Sequence, residues 1–138
     1  YEGTEIVIRE VTAPHDGELE PSSIPDRNCT SCVTVRDSWT KPITEAVYDD
    51  IFNLPVVIHM HYKLITRKRF DANRAIQEAS NGNIIIEQSW NNYHTFIDSA
   101  KAQTIRDYGR GLFIDIPGHA HTLQRIELGY FLSKNDLQ

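Results

Sequence analysis

Hydrophobic and polar residues follow two different periods along the chain, and these predict the order of its secondary structure. Residues 4–11 (TEIVIREV) and 55–65 (PVVIHMHYKLI) alternate or are rich in β-branched side chains, which predicts strands. Residues 37–53 repeat apolar positions every fourth residue, which predicts an amphipathic helix with Pro42 in its first turn. The apolar positions of this helix are Ile43, Val47 and Ile51.

The second half of the chain predicts two more helices and two more strands. A short helix reaches Ala79, and a long one covers residues 84–108, where Gly109 ends it. Residues 111–116 (GLFIDI) predict a buried strand and residues 125–133 (RIELGYFLS) a final strand. The apolar stripe of the long helix consists of Ile86, Trp90, Tyr93, Ile97 and Ala100.

This alternation of strands and helices predicts an α/β sheet with helices on its faces. In such sheets ligands bind beyond the carboxyl ends of the strands. The segments APHDG (13–17) and DIPGHAH (115–121) each follow a predicted strand directly. We therefore expect both segments to lie at one edge of the sheet.

Composition places the chain among globular proteins and argues against two classes of partner. Its 138 residues, 40% hydrophobic and 24% charged, are enough for one domain with a core of its own. A basic run occupies residues 63–74, but the net charge is −5, which argues against nucleic-acid binding. No apolar run approaches the roughly 18 residues needed to cross a bilayer, so we expect no membrane insertion.

Three features predict a secreted protein. The chain starts at Tyr1, as a mature product would after removal of a leader. Asn28 begins a glycosylation sequon, and Cys29 and Cys32 form CTSC after a loop rich in proline and serine (13–28). We predict that the two cysteines are joined, because disulfides persist in extracellular compartments. The alternative is a pair of unpaired loop thiols.

Histidines and carboxylates after the predicted strands are candidate zinc ligands. Hydrolytic zinc sites use three protein ligands and leave one position for water, which loses a proton near neutral pH. The candidates are His15, Asp37 or Asp26, and His119 or His121. The alternative for each histidine is a solvated loop residue.

Other ionisable residues have simpler expected roles. Asp115 ends an apolar strand, where it would either orient a ligand histidine or bind the metal itself. His59 and His61 share a strand face among apolar residues, which predicts pairing with core polar groups. His94 on the long helix is expected to be exposed.

The basic segment RKRFDANR is a candidate anion site. Arg67, Arg69 and Arg74 concentrate guanidinium donors, which bind carboxylates in a bidentate way. The alternative is a solvated basic turn in which Asp71 and Asn73 serve as turn or cap residues.

Five motifs in order, PHDG, DSWT, RKRFDANR, GLFIDIPGHAH and ELGY, resemble the N-formylglutamate amidohydrolase family from residue 13 to residue 133. The resemblance implies a three-layer α/β sandwich with a mostly parallel or mixed sheet, as one domain over residues 1–138. It also implies metal-dependent cleavage of an amide that releases formate or a similar acyl group from an acidic amino acid. The substrate would be a small carboxylate-bearing molecule and the cofactor Zn²⁺.

The resemblance also assigns roles to individual residues. His15 and Asp37 would bind zinc, whereas Arg67, Asn73 and Arg74 would bind the substrate carboxylate. The last ligand of the family comes from a D-x-H motif, where this chain has Pro117, which cannot bind zinc. We expect His119 or His121 to take that place. Asp115 and Glu127 are the candidate catalytic carboxylates, with Glu127 as general base.

Two functions from different classes remain open at this point. One is a secreted zinc amidohydrolase. The other is a non-catalytic extracellular metal-binding or matrix protein that keeps the same fold. Pro117 and the short stretch after ELGY favour the second function, and the joint presence of His15, Asp37 and the arginine-rich turn favours the first.

Overall fold

The computed structural model describes residues 8–30, 32–52, 59–119 and 122–123. Within these residues the strands are β1 (Ile8–Ala13), β2 (His59–Tyr62) and β3 (Leu112–Asp115). The helices are α1 (Thr40–Phe52), α2 (Ile76–Ser80) and α3 (Ile84–Tyr108). The predicted order of elements is confirmed up to β3, and the final strand predicted for residues 125–133 lies outside the described residues.

The three strands form a parallel sheet in the order β2-β1-β3. Ala13 pairs with Tyr62 on one side of β1, and Thr12 pairs with Asp115 on the other. The carboxyl ends of all three strands therefore meet at one edge. This confirms the expectation that the segments after β1 and β3 start side by side.

The predicted three-layer α/β sandwich is wrong. The described strands have only six, four and four residues, whereas α1 and α3 have 13 and 25. Strands this short offer little face for two helical layers to cover, and most of the regular secondary structure in the described residues is helical. The prediction that 111–116 is a buried strand is also wrong, because Leu112 and Phe113 in β3 are exposed.

The main apolar cluster joins the basic turn RKRFDANR to helices α2 and α3. Phe70 and Ala72 from the turn pack there, and both are almost fully buried. The other buried members of the cluster are Ile24, Ala79 and Ile86. The basic turn is thus anchored in the core.

Helix α3 agrees with its predicted bounds and stripe. Asn83 caps it by accepting hydrogen bonds from the amides of Ile85 (3.0 Å) and Ile86 (3.3 Å). Gly109 ends it in the left-handed conformation, with φ 74°. The predicted stripe is buried or packs against the cluster. None of the described helices is long and apolar enough to cross a membrane.

In its first turns helix α1 buries Thr40 and Thr44, whereas Ile43, the first position of the predicted apolar stripe, is 49% exposed and Val47 is half-buried. The first turn is fixed by polar contacts: the Thr40 hydroxyl donates to the Asp37 carbonyl (2.9 Å), and the Lys41 amide donates to Asp16 (2.8 Å). Thr44 donates in turn to the Thr40 carbonyl (2.8 Å), so its hydroxyl is buried with a partner.

Candidate functional site

His15 lies between two carboxylates just past the end of β1. Its Nδ1 is 3.1 Å from Asp37 Oδ2, and its Nε2 is 2.8 Å from Asp71 Oδ1. The residue is only 3% exposed, so the alternative of a solvated loop histidine is wrong. Both ring nitrogens are therefore engaged by acidic groups.

Arg67 bridges the same two carboxylates from a different direction. Its Nη1 donates to Asp37 Oδ1 (3.0 Å), and its Nε donates to Asp71 Oδ2 (3.1 Å). His15, Asp37, Arg67 and Asp71 thus form a closed ring of contacts, here called the charged network. Positive and negative groups alternate around it when His15 is protonated.

The network favours the charged forms of His15, Asp37 and Asp71. Burial alone would lower the pKa of His15, but the bonds to Asp37 and Asp71 outweigh it and the net shift is upward. Burial would raise the pKa of Asp37 and of Asp71, but the bonds from His15 and the charge of Arg67 leave both below their usual range. The two carboxylates therefore favour the imidazolium form of His15 over the neutral ring.

Backbone contacts explain why residues so distant in sequence meet here. The Asp37 amide donates to the His15 carbonyl (3.1 Å), which joins the segment after β1 to the start of α1. Asp71 stands between Phe70 and Ala72 in the core, and its Oδ1 accepts the Asn73 amide (3.1 Å). The alternative of a solvated basic turn is therefore wrong, although Asp71 does have the turn role that its sequence position predicts.

The segment after β3 reaches the network through Asp37. The Gly118 amide donates to Asp37 Oδ2 (3.0 Å), and a Cβ on Gly118 would lie 2.6 Å from the Asp37 Cβ. Only glycine permits this approach. The predicted meeting of His15, Asp37 and the DIPGHAH segment is confirmed as far as Gly118.

Asp115 lies beside the network at the end of β3. The Thr12 hydroxyl donates to its Oδ1. The residue as a whole is exposed, yet partial burial of its carboxyl group raises the pKa of Asp115, against the Thr12 bond and the charge of His15. The carboxyl of Asp115 therefore holds a proton more readily than a free aspartic acid does.

The structure places the candidate metal ligands in two groups. His15 and Asp37 are adjacent, and His119 follows Gly118 in an exposed position. His121 lies outside the described residues. Asp26, the alternative to Asp37, instead pairs with Arg69 (3.1 Å). Among the residues described, no group of three His, Cys, Asp or Glu side chains is arranged to hold a metal ion.

The proposed carboxylate-binding residues differ in how far they are engaged. Arg67 is committed to the network, whereas Arg74 is 44% exposed on its side chain and contacts Asp71 (3.8 Å) and Glu78 (3.6 Å) only loosely. Asn73 is exposed. The candidate base Glu127 lies outside the described residues.

The structure decides two other predictions, the Cys29–Cys32 disulfide and the exposure of His94. Cys29 and Cys32 are joined in a disulfide, as predicted, and the sequon residue Asn28 beside them is exposed. The expectation that His94 is exposed is wrong. Its Nε2 lies 2.9 Å from the Ala72 carbonyl and its ring packs against Trp90.

Sequence reasoning missed Arg27. Arg27 is buried; its Nε donates to the Arg67 carbonyl (3.1 Å), and its Nη2 is 3.6 Å from Asp71 Oδ2. An arginine in a loop carries no signal of this role. Asp71 did carry one, since a single carboxylate among three arginines is placed to neutralise them.

Comparisons of the chain with protein-family models, curated proteins and solved structures yield no match.

Proposed function

We propose that the chain is an extracellular, zinc-dependent amide hydrolase for small carboxylate-bearing N-acyl substrates, as its resemblance to the N-formylglutamate amidohydrolases implies. One observation carries the proposal. A buried histidine lies between two carboxylates at the carboxyl ends of a parallel sheet, where open sheets bind ligands. Strongly perturbed ionisable groups in such a position are typical of functional sites.

His15 and Asp37 supply two of the three protein ligands that a hydrolytic zinc site needs. His15 Nδ1 and Asp37 Oδ2 are 3.1 Å apart, close to the roughly 3 Å expected for two atoms that each bind one ion at about 2 Å. A histidine of the GHAH segment, His119 or His121, would supply the third ligand. Bound zinc polarises a carbonyl and lowers the pKa of a bound water.

The other members of the network act on His15. Asp71 holds the second ring nitrogen, the arrangement by which carboxylates orient histidine ligands and keep them basic. Arg67 fixes both carboxylates, so Asp37 keeps its position when His15 changes its proton. Its role is therefore positioning, which leaves substrate recognition to its neighbours.

The substrate carboxylate is assigned to Arg74 and Asn73. Both side chains are exposed beside Asp71, and a guanidinium without a tight partner can bind a carboxylate through two parallel donors. The amide would then lie toward His15.

Proton transfer is assigned to Asp115. Water adds to the amide carbonyl, the C–N bond breaks, and the leaving amine needs a proton that a carboxyl with a raised pKa can supply. Glu127 is the second candidate for this role.

Secretion is proposed on two features of one loop. The Cys29–Cys32 disulfide is stable in an oxidising compartment, and the exposed Asn28 is accessible to a glycosyl transferase.

A second function is favoured by the closure of the network. His15, Asp37, Arg67 and Asp71 satisfy one another without any ligand. A closed set of charges can serve the fold alone. A non-catalytic extracellular binding or matrix protein is therefore the alternative.

Hydrolysis by the purified chain with zinc separates the two functions. We expect release of free amine from N-formyl-L-glutamate, lost at least 100-fold in Asp37→Asn, and a KM raised at least tenfold in Arg74→Gln. Arg69→Gln is the matched control, because Arg69 pairs with Asp26 outside the network. Absence of amine release from this and a panel of other N-acyl amino acids, by zinc-loaded folded protein, would contradict the hydrolase.

A further inference from the structure

A cleft of about 570 Å³ opens beside the charged network. Two of its lining residues are sequence neighbours of network residues: Asp16 follows His15, and Arg36 precedes Asp37. The cleft is lined by Asp16, Gly17, Glu18, Leu19, Arg36, Trp39, Lys41, Pro42 and Leu64. Small-molecule sites have volumes of about 300–1,000 Å³, so this cleft is far larger than a formyl group requires.

One wall of the cleft is a tightly joined pair of segments. The Leu19 amide donates to the Leu64 carbonyl (2.8 Å), and the Thr66 amide donates to the Leu19 carbonyl (3.0 Å). A Cβ on Gly17 would lie 2.3 Å from the Ile65 carbonyl oxygen. The absence of a side chain at Gly17 therefore lets the two segments touch, and Leu19 and Leu64 line the wall as a fixed apolar surface.

Trp39 is held in the cleft in a conformation that its own backbone disfavours. Its φ is 75°, in the left-handed region, which costs about 1–2 kcal/mol for a residue with a Cβ. The side chain is 73% exposed, so burial does not offset this cost. The Trp39 carbonyl accepts from the Ile43 amide (3.1 Å), which fixes the residue at the start of α1. Strain at an exposed aromatic residue is typical of binding sites.

The cationic groups of the cleft are paired with carboxylates of the same chain. Arg36 bonds to Glu18 and lies 3.8 Å from Asp16, and Lys41 Nζ lies 2.6 Å from Glu45. The surfaces left for a ligand are the apolar ones: Trp39, Pro42, Leu19 and Leu64. An uncharged aromatic ring matches this lining, since it stacks on an indole and packs against aliphatic side chains.

We propose that this cleft binds an aromatic ring, stacked on Trp39, as the side chain of an N-acyl amino acid whose amide lies at the charged network. The proposal rests on the proposed function for the position of the amide. Binding of the ring itself requires neither zinc nor hydrolysis. The substrates of the proposed hydrolase would then include N-acylated aromatic amino acids, whose α-carboxylate is the group assigned to Arg74 and Asn73.

Binding of a ligand to Trp39 can be followed through the nuclear magnetic resonance signal of its indole N–H. The chain has two tryptophans, so the indole N–H signals of Trp39 and Trp90 can be followed separately during titration with N-acetyl-L-phenylalanine and with N-acetyl-L-alanine. We expect saturable shifts at Trp39 with the phenylalanine derivative and at least tenfold weaker binding of the alanine derivative. Calorimetry measures the affinity of each variant for the phenylalanine derivative. Trp39→Ala should bind it at least tenfold more weakly, whereas Trp39→Phe should retain most of the affinity. Val35 is exposed and apolar but lies outside the cleft, so Val35→Ala should bind as wild type does.

The outcomes separate this proposal from the hydrolase. Equal affinity for the two derivatives, or unchanged affinity in a folded Trp39→Ala variant, overturns the aromatic site. If the protein hydrolyses N-formyl-L-glutamate but N-acetyl-L-phenylalanine causes no shift at Trp39, the aromatic site is overturned while the hydrolase is supported. Shifts at Trp39 without hydrolysis of any N-acyl amino acid support the aromatic site and count against the hydrolase.

Discussion

His15 and Glu10 are both buried, but only His15 has partners that keep its charged form stable. Both ring nitrogens of His15 contact a carboxylate, so burial is offset and its pKa rises. Glu10 on β1 is 2% exposed, and neither carboxylate oxygen has a hydrogen-bond partner among the described residues. Burial raises the pKa of Glu10 to about 7, although the charge of Lys101 opposes the shift. Lys63 shows the same effect for a cation, since burial lowers its pKa to about 6.

Glu10→Gln should stabilise the protein at alkaline pH. The folded protein holds the Glu10 proton up to about pH 7, whereas the unfolded chain releases it near the ordinary value of 4.5. Stability from this group is therefore present in acid and is lost as pH rises from about 5 to about 8. Glu10→Gln does not lose this stability. Its free energy of unfolding relative to wild type should therefore rise across this window, by on the order of 1–3 kcal/mol. Urea unfolding at a series of pH values measures it.

The control is Asp50→Asn, which removes one negative charge from an exposed position on α1. It should show no comparable growth between pH 5 and pH 8. A constant difference between Glu10→Gln and wild type over this window would mean that Glu10 has a partner that keeps it ionised.

Among the elements, those whose signals are local could be predicted from the sequence. Helix α3 agrees with prediction at both ends because a cap residue, a glycine and a long apolar stripe all belong to the helix itself. The exposure of β3 could not be predicted in this way, since burial of a strand depends on what packs over it. The buried face of α1 is set by Asp16 and Asp37, which lie outside the helix.

Asn83→Ala should destabilise the fold through the start of α3. The Asn83 side chain satisfies the amides of Ile85 and Ile86, and loss of such a cap costs about 1 kcal/mol. Asn92→Ala is the matched control, because Asn92 is exposed within the same helix and alanine favours helix there. Thermal unfolding followed by circular dichroism should show a lower midpoint for Asn83→Ala alone. Equal midpoints for the two variants would show that the cap does not stabilise the helix.

At the scale of the whole molecule, the sequence predicted which ionisable residues lie close together better than which of them form pairs. His15 and Asp37 do meet at the edge of the sheet, because parallel strands bring their carboxyl ends together. Arg67 was expected to bind a substrate carboxylate, yet it binds two carboxylates of its own chain. Residue types indicate charge, whereas the partner of each charge depends on tertiary distances.

Nuclear magnetic resonance of the His15 ring nitrogens, without and with zinc, tests the central claim most directly. Comparison with His15→Gln assigns the signal among the six histidines. Without metal, we expect both nitrogens to carry protons at neutral pH, because Asp37 and Asp71 favour the charged ring and raise its pKa. One equivalent of zinc should remove one of these protons and move that nitrogen to a metal-bound shift. A spectrum unchanged by excess zinc in the folded protein would contradict the account, and would leave the charged network a structural element.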